Sequence, residues 1–385
     1  MYFGVCHLAK QFYLDNSATT MPCKRTIDNI NYALNNNWGN PSSLHIMGVN
    51  AEMELNDARR VIANSINANI DEIFFTSGGT ESNNIAIFGA VNSRRKRGNR
   101  IVTTTIEHPS VLETIKSLEN QGFEVVYLRP DKNGVINETD IYNAVNDKTI
   151  LVSIMLVNNE IGSIQPIKTV ADAIKKSGAP ALLHCDAVQA YGKLDINVSS
   201  LGIDLLSASG HKIHASKGVG FLYKKKTVHI TNTVFGGGQE KGLRSGTECV
   251  PLISGLKGAV EELGNIKNNF STINELRNYA IEKLLKTELV TINSNDNCLP
   301  YILNISVVGY RSETLLHYLE SKNIFVSSGS ACSKGHGSYV LKEIGLDARR
   351  TDSALRISFS RFSTKDDIDA LCDGLYEACS KLRKA

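Results

Sequence analysis

No apolar run in this 385-residue chain approaches the ~18 residues that a membrane-spanning helix needs, which argues against a transmembrane protein and predicts a soluble one. Cysteine is sparse. The eight residues Cys6, Cys23, Cys185, Cys249, Cys298, Cys332, Cys372 and Cys379 lie far apart, without the spacing of a disulfide framework, and free thiols in a reducing compartment are expected. Charge of one sign is also lacking: the net charge is only +3, which implies no nucleic-acid partner. The one basic run, Arg94 to Arg97, follows a helix-like segment and ends at Gly98, as a solvated helix end would. There is no GxxxxGK[ST] stretch, so the usual nucleotide-hydrolase loop is excluded. The opening MYFGVCHLAKQFYLDN has no charged flank before a long apolar stretch, so no secretory leader is expected and a cytoplasmic location is predicted. Repeats, low-complexity tracts and long linkers are absent.

What remains is an ordinary globular composition, 42% hydrophobic and 21% charged. At ~150 residues per domain the length predicts about two or three structural units. From about residue 70 to 250, short apolar runs alternate with helix-like segments: EIFFT, RIVTTT, EVVYL, ILVSIMLV, PALLHCDAV, DLLSAS and VGFLY. Runs rich in Val, Ile and Leu separated by amphipathic segments predict an α/β unit with a largely parallel, helix-covered sheet. After about residue 265 the pattern changes: helices near NELRNYAIEKLLK, SETLLHYLESKN, SYVLKEIG and IDALCDGLYEACSKLRK, with strands YILNISVVG and ALRISFS. This predicts a smaller α+β domain of residues 1–14 and 261–385 beside a large domain of residues 15–260.

In parallel sheets, ligands bind beyond the carboxyl ends of the strands, so the polar residues that follow each run matter most. EIFFT leads into SGGTESNN, where Gly78 and Gly79 permit a tight turn and Thr80 opens a helix; this reads either as a phosphate cradle or as a helix cap. PALLHCDAVQ places Asp186 at a strand tip, as a turn cap or as the partner of a protonated ring nitrogen, with Gln189 close by. DLLSAS leads into SGHKIHASKG, bringing Ser209, His211 and Lys212 to the same edge. A partly desolvated lysine near other cations has its pKa lowered enough to form an imine. Cradle, aspartate and lysine in this order suit pyridoxal phosphate, whose usual partners are a Schiff-base Lys and an Asp at the pyridinium nitrogen.

The stretches YLDNSATT, GNPSSLH, FTSGGTESNN, IEHPSVLET, VNNEIGSIQPI, HCDAVQ, SGHKIHASKG, GLRSGTE and SSGSAC make the chain resemble the cysteine desulfurases, the pyridoxal-phosphate enzymes of the class V aminotransferase group. The likeness runs in order from about Tyr13 to Phe362. It implies fold type I, with a mainly parallel seven-stranded sheet in the large domain. It further implies that Lys212 forms the imine with pyridoxal 5'-phosphate, that Asp186 pairs with the ring nitrogen, and that His108 stacks on the ring and assists proton transfer. By the same resemblance Gln189 and Asn159 approach the phenolic oxygen. Gly79, Thr80, Ser209 and His211 surround the phosphate, and Thr247 reaches the phosphate of the other subunit of a homodimer. Arg356 would hold the carboxylate of the L-cysteine substrate in a bidentate pair, and Asn40 is a further substrate-site candidate. The implied reaction takes sulfur from L-cysteine, releases L-alanine, and leaves a persulfide on Cys332 for a sulfur-acceptor protein in iron–sulfur cluster assembly or in tRNA or cofactor thiolation. No nucleic acid contact, membrane or metal is expected.

Bland readings stand beside these. His108 before a proline is also a helix start, Arg356 a strand ion pair, His184 and Cys185 strand packing, and Trp38 a packing residue. Cys332 lies in SSGSACSKGHGSYVL, where Gly, Ser and Lys neighbours predict an exposed thiol fit to carry sulfur. With His336 it would supply two metal ligands where a structural zinc needs four. Between Cys332 and Tyr339 the chain is a couple of residues shorter than in scaffold-serving members of the family, which bears on the identity of the acceptor. An aminotransferase, a selenocysteine lyase or a catalytically silent docking paralogue would share much of this pattern, but an aminotransferase has no need of Cys332.

Overall fold

The computed structural model describes residues 10–286, 288–328 and 337–384. Cys332, His336 and Cys6 lie outside the described residues. The chain divides into two compact units, one of Thr19–Asn159 and Ile164–Lys267, the other of Met1–Ala18, Glu160–Ser163 and Asn268–Ala385.

Strand β1 (Phe12–Tyr13) belongs to the second unit, and the sheet of the first unit begins with β2 (Ile73–Thr76). The other strands of that sheet are β3 (Arg100–Thr104), β4 (Glu124–Leu128), β5 (Thr149–Met155), β6 (Leu182–Asp186), β7 (Leu205–Ser209) and β8 (Gly220–Lys224). Their order is β2-β8-β7-β6-β5-β3-β4, so all of the predicted apolar runs join one seven-stranded sheet. β3 to β7 pair in parallel, whereas β8 is antiparallel to both β7 and β2. Two reversals return β2 to the direction of β7, so the polar residues after β2, β3, β5, β6 and β7 all emerge at one edge. Every residue of β5, β6 and β7 is buried, because helices cover both faces of a parallel sheet and leave no strand position for water. Helix Gly79–Arg94 packs Ile85, Ala86 and Ala90 into a core with Ile101, Leu151, Leu182 and Leu222, and this contact aims the start of the helix at the same edge.

The second unit is α+β, as expected. Its antiparallel sheet has the order β12-β13-β10-β9, from β9 (Val290–Ile292), β10 (Ile302–Val307), β12 (Ser327–Ser328) and β13 (Ala354–Ser358). β11 (Ile324–Phe325) pairs in parallel with β1. Helices Ile266–Leu284, Ser312–Glu320, Tyr339–Glu343 and Lys365–Lys381 correspond to the helix-like stretches, and Ala348–Asp352, capped by Asp347, adds a short helix without a sequence signal. The lone Trp38 does not pack inward: it is 66% exposed. No helix among the described residues is long and apolar enough to cross a membrane.

Candidate active site

Lys212 ends a single 3-10 turn directly after β7, and the backbone around it is clamped from a distant segment. The His211 carbonyl accepts from both the amide (2.9 Å) and the hydroxyl (2.9 Å) of Thr20, and Thr20 Oγ1 in turn accepts from the amide of His214 (2.7 Å). His214 takes a left-handed φ of 70°, which turns the chain away after the lysine, and its Nδ1 lies 2.8 Å from the Met21 carbonyl oxygen. A lysine on a turn fixed in this way is aimed by backbone bonds rather than by its own flexible stem.

Asp186 closes β6 and is 5% exposed. One carboxylate oxygen accepts from the amide of Val188 (2.9 Å), the other from Asn83 Nδ2 (2.8 Å). The same Asn83 amide donates to Ser110 Oγ (2.9 Å), which lies 2.8 Å from His108 Nδ1. His108 is the cap of helix Pro109–Glu119, and its Nδ1 accepts from the Ser110 amide (3.1 Å). A backbone N–H can only donate, so Nδ1 carries a lone pair and the ring proton of neutral His108 resides on Nε2. Burial holds the imidazole below its ordinary pKa; Asp186 opposes this and Lys212 adds to it, which puts all three groups within one electrostatic neighbourhood.

The cradle is open. The cap of helix Gly79–Arg94 is Gly78, with φ 149° and no side-chain cap bond, and the Glu81 carboxylate accepts from the Ser77 amide (2.5 Å). The first intrahelical bond runs from the Ser82 amide to the Gly78 carbonyl (3.1 Å), leaving the amides of Gly79, Thr80 and Glu81 in the first turn as anion donors. A Cβ on Gly79 would stand 2.6 Å from Val188 Cγ2, so only glycine permits this approach to the Asp186 turn. His211 is pushed down to about 4 by burial and then by Lys212, Lys217 and Lys193, a concentration of positive charge that a phosphate would relieve. Anion donors at a helix start, a buried carboxylate and a lysine at one sheet edge fit pyridoxal phosphate.

Around these, Gln189 Oε1 accepts from Lys193 Nζ (3.3 Å), while Ser209 is buried and Asn159 half-buried. Thr80 and Thr247 are exposed. Asn40 is also exposed, and its Oδ1 accepts from the Ser42 amide (2.9 Å) in a local turn. His184 is a packing residue: its ring bridges Ser153 (2.8 Å) and Ser207 (3.0 Å) between strands, and burial holds it at about 3.

In the second unit Arg356 sits on β13, 7% exposed, with Nη2 donating to Asp15 Oδ1 (3.0 Å). It pairs across the sheet with Ser327 of β12, from which the chain runs on toward the segment containing Cys332. Beyond that segment Ser338 Oγ donates to buried Glu160 (2.5 Å), whose carboxyl is raised to about 7 by burial, against the pull of Ser338 and Arg356. Among the described residues no group of three or more His, Cys, Asp or Glu side chains is placed to hold a metal ion.

Glu107, Asn83, Lys193 and Thr20 went unnoticed in the sequence. Only Glu107 had a usable signal, its position beside His108. Its Oε1 accepts from Thr104 Oγ1 (2.8 Å) and the Met155 amide (2.9 Å), and burial raises the carboxyl to about 8, with Asp186 adding to the rise. A carboxyl raised from 4.5 favours the folded state below pH 4.5 and loses that contribution as pH rises through about 8. The melting temperature should therefore fall more steeply between these pH values in the native protein than in Glu107→Gln; parallel pH profiles in calorimetry would contradict this.

The aminotransferase class-V family model matches residues 12–371. The chain is 41% identical to the cysteine desulfurase IscS of Methanosarcina thermophila over 97% of its own length and 93% of that protein. Among solved structures, a NifS-like protein superposes with a TM-score of 0.92 at 36% identity, covering 97% of this chain and all of that one. SspA in complex with cysteine superposes with a TM-score of 0.81 at 33% identity, over 92% of this chain and all of that one. An edge that gathers a lysine, a carboxylate, a neutral histidine and an anion cradle is thus set in a chain that matches enzymes of one activity along nearly its full length, and the chain belongs to the cysteine desulfurases, pyridoxal-phosphate enzymes of the aminotransferase class-V family.

Proposed function

We propose that Lys212 is the imine-forming lysine and proton-transfer base of this desulfurase, and that sulfur from L-cysteine is delivered to Cys332. The observation that carries the reading is the gathering at one sheet edge of Lys212, directly after β7, and Asp186, at the end of β6 and linked through Asn83 and Ser110 to His108. When bound, pyridoxal 5'-phosphate supplies an electron sink that makes the substrate α-carbon acidic and its C–S bond labile. Asp186, fixed by Asn83 and Val188, would keep the ring nitrogen protonated. Gly79, Thr80, Ser209 and His211 would hold the phosphate, and Gln189 and Asn159 would serve the phenolic oxygen. His108, with its proton on Nε2, would assist proton transfer beside the ring. Arg356 binds the substrate carboxylate, held ready by Asp15, and Asn40 contributes to the same substrate site.

The Cys332 thiolate attacks the substrate sulfur. The new S–S bond forms as the C–S bond breaks, and the electron pair left on the carbon side takes up a proton, so alanine leaves and Cys332 keeps a persulfide. The persulfide then passes to an acceptor protein serving iron–sulfur assembly or thiolation. The protein acts as a homodimer in which Thr247 reaches the partner's phosphate. Trp38, Leu44 and Ile46 lie exposed between and at the start of helices Lys24–Asn36 and Ile46–Ser65, with Met53 and Phe235 also exposed, apolar side chains that a second copy would cover. The test is transfer of label: incubated with sulfur-labelled cysteine, the native protein is expected to carry label on Cys332, and Cys332→Ser none. Equal labelling of the variant, or label on another cysteine, overturns the assignment.

A further inference from the structure

The loop before helix Val250–Glu261 contains a strained piece of backbone. Glu240 and Lys241 have φ of 48° and 56°, a left-handed conformation that side chains disfavour and that persists only where surroundings impose it. Here the surroundings are a fork. Arg59 Nη1 and Nη2 donate to the two carboxylate oxygens of Glu240 at 2.8 and 2.7 Å, and Glu240 Oε2 also accepts from the Phe75 amide (2.9 Å). The pair is deeply buried, with side chains 10% and 1% exposed, and the guanidinium lies over the Phe75 ring. Phase and direction of the loop are thereby tied to β2, the strand that leads into the Gly78–Gly79 cradle.

Beyond Glu240 the loop is fastened further, by Lys241 Nζ on Asp71 (2.5 Å) among others. Arg244 Nε donates to Glu81 in the first turn of the cradle helix (3.1 Å), and the Gly246 amide donates to Gln239 Oε1 (2.9 Å), which closes the loop on itself. Arg59 and Glu240 also share a cleft of about 430 Å³ with Glu248, next to Thr247. Yet Thr247, at the end of this rigid support, is exposed. A buried ion pair on strained backbone is a costly way to hold an exposed threonine, unless its position matters to something outside the chain.

We propose that the Arg59–Glu240 fork is a positioning device that presents Thr247 to the pyridoxal phosphate of a second copy of this chain. The proposal rests on the reading of Thr247 as a ligand in trans. The test uses full-length mixed dimers stripped of cofactor and follows the borohydride-reducible linkage at intact Lys212 as pyridoxal phosphate is titrated back. With Lys212→Ala in one chain and Glu240→Gln in the other, the remaining lysine is served by an intact loop, and native cofactor affinity is expected. With both substitutions in the same chain, the intact lysine faces the altered loop, and affinity about tenfold weaker is expected, the effect of one lost hydrogen bond to a charged group. Arg59→Lys, which keeps the counter-charge but not the fork, replaces Glu240→Gln should that variant fail to fold, with the same expected contrast. Equal affinity in the two arrangements, or weakness in the first, overturns the proposal. Thr247→Ala in the same arrangements separates the causes: if it shows the contrast while the fork variants do not, the fork alone is refuted; if it shows none, the trans reading falls and the proposal with it.

Discussion

Lys212→Ala is expected to lower alanine formation from L-cysteine by about 10⁴-fold or more, since one side chain supplies both the covalent link to the cofactor and the base for the α-proton. The fold should survive, because the turn is held through the His211 carbonyl and the His214 amide, neither of which involves the Lys212 side chain. A second readout follows from the electrostatics. Lys212 is the leading charge that depresses His211, so its removal should move that imidazole up from about 4. Histidine titration by NMR in the cofactor-free variant measures this. Activity within about tenfold of the native enzyme, with cofactor bound, would remove Lys212 from the chemistry.

Asp186→Asn is expected to cost about 10² to 10³ in kcat, the magnitude seen when a preorganised charge or donor is lost from a reacting centre. An amide cannot hold a proton on the ring nitrogen as a carboxylate does. Nor is it a neutral replacement for the surrounding bonds. The oxygen of the introduced amide could accept from the Val188 N–H, but its NH₂ would then face the NH₂ of Asn83, two donors in contact. If Asn83 turns its oxygen toward the substituted side chain, it stops donating to Ser110 and loosens the link to His108. The variant should therefore show a displaced cofactor absorption band and a shifted His108 titration as well as slow turnover. Near-native kcat with an unmoved His108 would falsify the coupling, and Asn83→Ala, which breaks the link to Ser110 while leaving the Asp186 carboxylate and its Val188 bond in place, should also move His108.

The sheet was legible because strands covered on both faces are rich in apolar residues, and that signature is local: each run from EIFFT to VGFLY needs no knowledge of its partners. Lys212 and Asp186 were legible as candidates for a related reason, being polar residues at the ends of such runs, whereas His108 came only with the resemblance. The short helix Ala348–Asp352 and strand β9 were not, since a few residues carry no periodicity. Trp38 was misread as packing because composition alone does not tell an interior face from an exposed one.

The chain by itself determined which residue types follow which strand, and with them the chemistry available at one sheet edge. Only the tertiary structure decided how those residues are held. Thr20 clamps the Lys212 turn from 191 residues away, Asn83 reaches Asp186 across 103, and Arg59 grips Glu240 across 181. A hydrogen bond depends on distance and angle in space, which sequence spacing does not encode, so side chains that orient the site become visible only once the core has packed and brought them together.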